Sequence, residues 1–264
     1  MSGPHESKVR FGLAAEGGGR GLAMGAKATS MARVEPKRVG PVVLLGAPGA
    51  GKGTQAKRII EIAHIPQIST GDILRANVAA NTMLGKEAKA IMERGELVPD
   101  HLVCDMVASR LVEADCHRGF ILDGFPRTVH QAKWLDEFLG GKIFENQGCY
   151  GLQPVVIEIA VSYNQLFKRL TGRRSCPSCG RIYNVYFQPP RIAETCDVEG
   201  ARLATRKDDS ENVIHERLKE YEKLTRPLTD YYRAQGRLHV IDGEQEMETV
   251  TAETLKVLEN GNRL

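Results

Sequence analysis

A glycine-rich segment with a single lysine, GAPGAGKGT from Gly46 to Thr54, carries the clearest chemical signal in the sequence. It directly follows the apolar run Pro-Val-Val-Leu-Leu, which predicts a buried β-strand. Glycines let a chain turn tightly and aim several backbone N–H groups into one hollow, which suits a phosphate. Four residues separate Gly46 from Gly51-Lys52, the spacing of a P-loop, so we expect Lys52 to reach the β- and γ-phosphates of a nucleotide.

The same segment departs from the P-loop pattern at the position that usually binds magnesium. Gly53 follows the lysine where a Ser or Thr is usual, and Thr54 comes one residue later. Carboxylates and water would then hold a Mg²⁺ ion in place of a direct hydroxyl ligand. Asp123 ends the apolar run of residues 119–122, and the ends of parallel strands meet at one edge of a sheet. We therefore predict that Asp123 lies close to Lys52 and orients hydrated magnesium.

Arginines are abundant near the predicted loops and strand ends. Transfer of a phosphoryl group spreads negative charge over the moving group, so its catalyst needs positioned cations and the exclusion of water. The sequence shows no Ser/His/Asp set, and none is required when an already ionised phosphate oxygen is the acceptor. We take Lys52 to act together with five cations: Arg75, Arg127, Arg173, Arg206 and Arg217.

Three of the six cysteines lie close together in residues 172–209, which read as an inserted module with short antiparallel strands around Tyr183 to Phe187. Cys176 and Cys179 form a C-x-x-C pair, and Cys196 is followed three residues later by Glu199. Three thiolates and one carboxylate match a structural zinc site. Two alternatives stay open, namely a metal-free module held by hydrogen bonds and a disulfide between Cys176 and Cys179.

Composition limits the remaining possibilities. The chain has 264 residues, 42% of them hydrophobic, which is enough for a sizeable core in one elaborated domain or in two. A formal net charge of +3 is too small to require a nucleic-acid partner. No apolar run is long enough to span a bilayer, so we expect a soluble protein.

Residues 1–38 contain many Gly, Ala, Arg and Lys residues and few large apolar ones, which predicts a disordered extension. It has no continuous apolar segment of the kind found in secretory signals. Three interpretations are open: a mitochondrial transit peptide, translation that begins at Met31, or a dispensable tail. We favour a dispensable tail on a cytoplasmic protein.

Apolar runs alternate with amphipathic segments from residue 39 onward, which predicts an α/β fold with a parallel sheet flanked by helices. The predicted strands include Val42–Leu45, residues 66–68 and residues 155–161. Thr70 or Asp72 is the expected cap of the helix after the second strand. A later helical stretch, residues 212–232, is predicted to break at Pro227.

A set of motifs that covers nearly the whole chain after residue 38 resembles one family, the adenylate kinases. The matching segments occur in the family's order: GAPGAGKGTQ, ISTGDILR, GELVPD, DGFPRT, the GRR of residues 172–174, the TRKDD of residues 205–209 and the helix with Arg217. The resemblance implies a P-loop NTPase-like sheet with a helical monophosphate-binding segment at residues 69–98 and a lid at residues 172–209. It implies reversible, Mg²⁺-dependent phosphate transfer from ATP to AMP, giving two ADP, by a cytoplasmic monomer.

The resemblance also implies roles for individual residues. The ATP site would consist of Gly49, Ala50, Gly51, Lys52, Gly53, Thr54, Arg173, Ile182, Tyr183 and Gln245. The AMP site would consist of Thr70, Arg75, Glu96, Leu97, Val98, Gly124, Phe125, Pro126, Arg127, Gln131, Arg206 and Arg217. The catalytic group would be Lys52, Asp123, Arg127, Arg173, Arg206 and Arg217, and Asp208 and Asp209 would help to close the lid.

Two features depart from the family pattern. The cysteines resemble the zinc-bearing lid of some bacterial members, but Glu199 stands where those proteins have Cys or Asp. The stretch between Glu137 and Tyr150 is longer than usual, and the sequence offers no function for it.

Competing functions remain at this point. Within the class, the rivals are a UMP/CMP kinase and an AMP kinase that uses GTP, although Gln131 and the ISTGD segment favour adenine as the acceptor. From another class, the chain would be a zinc-dependent nucleotide-binding protein without turnover whose basic leader contacts nucleic acid.

Overall fold

The computed structural model describes residues 40–141 and 153–260, so the predicted extension 1–38 and most of the stretch 137–150 lie outside the described residues. The described strands are β1 Val42–Leu45, β2 Gln67–Ser69, β3 Ile121–Asp123, β4 Val155–Ala160, β5 Arg173–Ser175, β6 Ile182–Asn184 and β7 Leu238–Asp242. The described α-helices are α1 Lys52–Ala63, α2 Thr70–Ala79, α3 Met83–Glu93, α4 Asp100–Leu111, α5 Val129–Gly140, α6 Tyr163–Thr171, α7 Glu211–Glu220, α8 Pro227–Ala234 and α9 Met247–Asn260.

Five of these strands form one parallel sheet in the order β2-β3-β1-β4-β7. β1 is central, and its four residues are buried because both faces of the sheet are covered by helices. One apolar cluster includes Leu122, Phe125 and Leu135, and the cluster on the other side includes Ile59, Ile157 and Val250. The predicted α/β class with a parallel sheet is confirmed.

The sheet topology explains why the sequence motifs converge. The chain runs from β1 to β2 on one side of the sheet and later adds β4 and β7 on the other side. Neighbouring loops therefore diverge beyond the carboxyl end of β1, which is the usual position of a ligand crevice in such sheets. Asp123 ends β3 and is aligned with Leu44 of β1. Leu44 lies one residue before the end of β1, from which the chain continues into the glycine-rich loop.

The helix after β2 is capped by a residue that the sequence prediction missed. The Ser69 hydroxyl, at an extended backbone position, accepts a hydrogen bond from the Asp72 N–H at 3.3 Å. The prediction of Thr70 or Asp72 as the cap was wrong. Thr70 is unavailable because its hydroxyl donates to the Gly124 carbonyl at 2.8 Å, which joins α2 to the loop after β3.

Residues 172–209 contain a small two-stranded antiparallel sheet, as predicted; its strands are β5 and β6, and of the predicted residues Tyr183 to Phe187, Tyr183 lies in β6 whereas Val185, Tyr186 and Phe187 do not. Those two aromatic residues lie in the turn that follows β6 and are exposed. An isolated β-bridge between Ser175 and Ala204 joins the end of the segment to its beginning. The segment thus leaves and re-enters the main body next to α6 and α7.

The helical stretch near the C-terminus breaks before Pro227 rather than at it. A π-helical turn, Tyr221–Thr225, connects α7 to α8, and Pro227 is the first residue of α8. Proline is tolerated there because the first turn of a helix needs no N–H donor from it. The π-turn brings Thr225 to the Arg127 carbonyl, to which its hydroxyl donates at 2.8 Å.

Candidate active site

A cleft of about 1440 Å³ opens at the carboxyl edge of the sheet. The glycine-rich loop forms its floor, and its walls come from α2, the loop after β3 and residues of the 172–209 segment. Single drug-sized ligands occupy pockets of about 300–1,000 Å³. The cleft is therefore large enough for two nucleotides side by side.

The backbone of the glycine-rich loop adopts the conformation that the sequence predicts. Gly46 and Gly51 have φ angles of 137° and 106°, a region that residues with a Cβ rarely adopt. At Gly46 a Cβ would also come within 2.6 Å of the Ile159 carbonyl oxygen. Helix α1 begins immediately afterwards at Lys52, so its N-terminal N–H groups face the loop, an arrangement that favours a bound phosphate.

Lys52 lies in this loop with its ammonium group turned inward. Its Nζ donates to the carbonyl oxygens of Gly46 and Ala47, at 2.7 and 3.0 Å. Burial lowers the pKa of Lys52 to about 8, and the nearby charge of Asp123 opposes that shift only in part. Lys52 is therefore fixed at the loop, and its charge changes with pH just above neutrality.

Two acids hold the arginines at the base of the lid. Asp209 is buried and binds Arg173 through both of its oxygens, one of them at 2.7 Å from Nε. Arg217 donates to Asp209 at 3.1 Å and forms an ion pair with Asp208 at 3.0 Å. Burial tends to raise the pKa of Asp208, but Arg217, Arg75, Arg173 and Arg206 together lower it below its ordinary value. These contacts connect the lid with helix α7.

The loop after β3 positions Arg127 deep in the cleft. Its Nε donates to the Gly124 carbonyl at 2.8 Å, and the same carbonyl accepts the Thr70 hydroxyl. Burial, with a contribution from Arg217, lowers the pKa of Arg127 to about 10, so its guanidinium remains charged at neutral pH. The pKa of Arg206 is likewise lowered to about 10 by burial and by Arg173. The cleft thus concentrates positive charge that an anionic ligand would stabilise.

The predicted cationic residues and Asp123 converge on the cleft. Its lining includes Lys52, Arg75, Asp123, Arg127, Arg173, Arg206 and Arg217. It also includes most of the other predicted nucleotide contacts, namely Gly49, Ala50, Gly51, Gly53, Thr54, Glu96, Leu97, Val98, Gly124, Pro126, Ile182 and Gln245.

Some predicted site residues have side chains directed elsewhere. Phe125 is fully buried and packs edge-on against Trp134 in the core. The Gln131 side chain is 1% exposed and bridges the Arg127 N–H to the Asp100 carboxylate, with both contacts at 2.7 Å. Gln131 therefore supports the loop that carries Arg127, and its contact with AMP stays a prediction.

Arg169 of α6, which the sequence analysis did not single out as a site residue, also lines the cleft. Its guanidinium donates to the carbonyl oxygens of Ala50 and Gly243, at 3.2 and 2.7 Å. Burial lowers its pKa. The position of Arg169 on α6 relative to the glycine-rich loop was not predictable, because the two segments are distant in sequence and meet only when the sheet forms.

The three lid cysteines meet in the small apolar cluster of the 172–209 segment. Their sulfur atoms all lie within 4.8 Å of one another, and Cys179 and Cys196 are 3.7 Å apart. A tetrahedral zinc site with Zn–S bonds of about 2.3 Å requires sulfur separations of roughly 3.8 Å, so the thiols fit zinc. The Tyr183 hydroxyl and the backbone N–H groups of Glu199 and Val198 lower the pKa of Cys196 to about 6, which favours the thiolate that a metal requires.

Only the three thiols form the group of close ligand atoms in the part of this segment that the structure describes. Among the described residues, the group of close ligand atoms contains no carboxylate, and Glu199 is exposed. Glu199 contributes its backbone N–H to Cys196, while coordination by its side chain stays a prediction. The Tyr183 side chain lies within this cluster and Tyr183 is 4% exposed, but it also lines the cleft, and its contact with ATP stays a prediction.

Comparisons with known proteins agree with this arrangement. A family model described as adenylate kinase matches residues 44–237. The adenylate kinase of Thermodesulfovibrio yellowstonii is 50% identical over 218 residues, which cover 83% of this chain and 98% of that protein. The adenylate kinase of Nitrosococcus oceani is 48% identical over 218 residues, which cover 82% of this chain and 97% of that protein.

The chain belongs to the adenylate kinase family. As a member of the adenylate kinases it is an enzyme, a phosphotransferase that converts ATP and AMP reversibly into two ADP. The alternative of a nucleotide-binding protein without turnover is wrong. Within the described residues, no helix has the length and apolar character needed to cross a membrane.

Proposed function

We propose that the enzyme transfers the terminal phosphate in line, with ATP over the glycine-rich loop and AMP between α2 and Arg127. The observation that carries this proposal is the convergence on one cleft of six cations from separate elements: Lys52, Arg75, Arg127, Arg173, Arg206 and Arg217. Such a set neutralises charge that develops on the moving group and needs no rearrangement when the reaction occurs.

ATP is placed by the loop amides and the N-terminus of α1, with Lys52 on the β- and γ-phosphates. Arg173 reaches the same phosphates from the lid, and Ile182, Tyr183 and Gln245 enclose the nucleoside through their backbones. Arg169 supports this side of the cleft through its hydrogen bonds to Ala50 and Gly243.

AMP is placed on the opposite side of the loop. Arg75 and Arg127 bind its phosphate, and residues 96–98 with Thr70 and Gly124 shape the pocket for the base. Arg206 and Arg217 lie between the two phosphates and stabilise the transferred group. Because the phosphate of AMP is ionised near neutral pH, its oxygen attacks without a general base.

Magnesium fits the site as an ion held through water. Asp123 lines the cleft at the end of β3, and its Oδ2 lies so near the glycine-rich loop that a Cβ on Gly53 would be 3.4 Å from it. When bound, Mg²⁺ supplies Lewis-acid stabilisation of the phosphate oxygens. Asp123 would hold the ion through water, and the absence of a side chain at Gly53 would leave room for that water.

Closure of the two mobile parts, residues 69–98 and 172–209, excludes water from the cleft, since water would otherwise accept the phosphate. Asp208 and Asp209 contribute by holding Arg173 and Arg217. Cys176, Cys179 and Cys196, with Glu199 as the predicted fourth ligand, would hold a zinc ion that would make the lid rigid. The enzyme acts as a monomer in the cytoplasm and requires neither membrane nor nucleic acid.

A coupled assay tests the substrates. AMP, UMP, CMP and GMP are each paired with ATP and with GTP in the presence of Mg²⁺, and we expect rapid turnover only with AMP and ATP. Comparable turnover with GTP would show that the donor site is not strict for ATP, and turnover with UMP or CMP would show a broader range of acceptors.

Lys52→Ala tests the residue at the centre of the site. We expect kcat to fall by about 10²–10³-fold or more, the cost of removing one group that stabilises transition-state charge. Circular dichroism establishes that the variant is folded. A folded variant with a near-normal rate would overturn the role of Lys52.

A further inference from the structure

Gln67 contacts the carboxylate that we assign to magnesium. It is the first residue of β2, and its Nε2 donates to Oδ2 of Asp123, the last residue of β3, at 2.9 Å. Ser69 is aligned with Asp123 in the parallel pair, and Gln67 lies two residues before Ser69 on the same strand. Side chains two residues apart share a face of a sheet, so the register itself brings the amide to the carboxylate.

The contact constrains one oxygen of Asp123 and leaves the other unengaged. Among the described residues, only Gln67 donates a hydrogen bond to this carboxylate, and it does so to Oδ2 alone. Lys52 does not compete, because its ammonium group donates to the carbonyl oxygens of Gly46 and Ala47. Both Gln67 and Asp123 line the cleft.

A short carboxylate side chain rotates readily, since its terminal torsion is broad and two-fold. A neutral amide limits this rotation without cancelling the negative charge, whereas an arginine in the same place would neutralise it. The donor is therefore of the kind that orients a carboxylate for a hydrated cation.

We propose that Gln67 is a positioning residue for the phosphoryl transfer. Its amide holds Asp123 in one rotamer through Oδ2, the oxygen that lies near the glycine-rich loop, and so orients the carboxylate toward the water shell of magnesium. This inference rests on the proposed role of Asp123. The alternative is that Gln67 only joins β2 to β3 and contributes to stability.

The kinetic experiment compares four substitutions at the two residues. Gln67→Met keeps the length of the side chain without the donor, Gln67→Glu replaces the donor by a charged acceptor, and Gln67→His restores an N–H. Asp123→Asn is the reference for loss of the carboxylate. An exposed glutamine outside the cleft, changed as Gln153→Met, is the matched control.

We expect Gln67→Met to raise the Mg²⁺ concentration for half-maximal rate and to lower kcat, each by about tenfold, as for loss of one hydrogen bond to an ionised group. The KM for AMP should not change. Gln67→Glu should have a larger effect, Gln67→His should recover much of the rate, and Gln153→Met should match the parent enzyme.

Calorimetry supplies a readout that does not depend on turnover. The affinity for MgATP is divided by the affinity for ATP measured with a chelator present. We expect this ratio to fall in Gln67→Met and in Asp123→Asn but not in Gln153→Met.

A lowered ratio in Asp123→Asn with an unchanged ratio in Gln67→Met would overturn the inference and leave the role of Asp123 intact. An unchanged ratio in both variants would overturn the role of Asp123 itself. If Gln67→Met lowers the melting temperature and weakens MgATP, ATP and AMP equally, Gln67 is structural and the inference fails.

Discussion

The ammonium group of Lys52 is surrounded by backbone, by other cations and by one nearby acid, Asp123. Its hydrogen-bond partners are carbonyl oxygens, and no carboxylate among the described residues lies within ion-pair distance. Burial of a charge without a paired acid disfavours the charged form, which is why the pKa of Lys52 falls from 10.5 to about 8. A phosphate ligand would reverse this effect, since its negative charge favours the protonated amine.

This difference between free and bound enzyme predicts a pH dependence. The protonated lysine is the active form, so kcat/KM for ATP, which reports the free enzyme, should fall as pH rises through about 8. The profile of kcat reports the bound enzyme and should fall only at higher pH. Steady-state rates between pH 6.5 and 10 test the profile of kcat/KM and the profile of kcat.

Lys52→Arg is the control for this profile, because a guanidinium remains charged throughout the range. Its residual kcat/KM should lack the descending limb. A profile of the parent enzyme that stays flat beyond pH 9.5 would show that another group, or none, controls ATP binding.

At the scale of elements, the positions of α2 and α3 depend on one glycine. A Cβ at Gly85 would lie 2.0 Å from the Asn77 carbonyl oxygen and 2.7 Å from the Val78 nitrogen. The two helices therefore approach each other through their backbones. Helix α2 carries Thr70 and Arg75, so this packing supports the side of the cleft that we propose for AMP.

Gly85→Ala should force α3 away from α2. We expect a destabilisation of about 1–3 kcal/mol, typical of overpacking, and a raised KM for AMP with little change in the KM for ATP. Chemical denaturation and substrate titrations measure the two effects.

The matched control is Gly140→Ala at the exposed end of α5, where a Cβ would meet no atom within 4 Å among the described residues. We expect this variant to be as stable as the parent or more so, because alanine favours helix by about 1 kcal/mol over glycine. Equal behaviour of the two variants would contradict the proposed helix contact.

The apolar cluster of the lid consists of few residues: Cys176, Tyr183, Cys196 and Leu203, with Ala201 beside them. If these cysteines bind zinc as proposed, such a small cluster would gain much of its order from the metal, since metal binding and folding are coupled. A chelator should therefore lower the melting temperature more than it lowers activity at low temperature. Calorimetric scans and rates at 10 and 25 °C, with and without added zinc, provide the comparison. Elemental analysis of carefully purified protein that finds no zinc would remove the metal assignment.

At the scale of the whole molecule, the described sheet, core and cleft all lie within residues 40–260. The relative from Thermodesulfovibrio yellowstonii is matched over 98% of its length by 83% of this chain. The additional length of this chain is therefore not needed for the family's fold.

Removal of residues 1–38 should leave kcat and both KM values within about twofold of the full chain, since every residue proposed for catalysis lies after them. Parallel assays of the full and shortened proteins decide this. A large loss of activity in a folded, shortened protein would assign the extension a catalytic or regulatory function.

The local features of this protein could be predicted from its sequence alone. The glycine-rich loop, the alternation of strands and helices and the cysteine spacing each depend on residues close together in the chain, where composition and periodicity report conformation directly. Local patterns singled out Lys52, Asp123 and the C-x-x-C pair as candidates. The family resemblance then implied roles for the remaining predicted site residues.

The tertiary structure alone decided which side chains meet. The contacts of Gln67 with Asp123, of Arg169 with Ala50 and Gly243, and of Gln131 with Asp100 join elements far apart in sequence. They depend on strand order and register, and the local sequence pattern does not report either of these. For the same reason, the buried positions of Phe125 and Tyr183 became apparent only from packing.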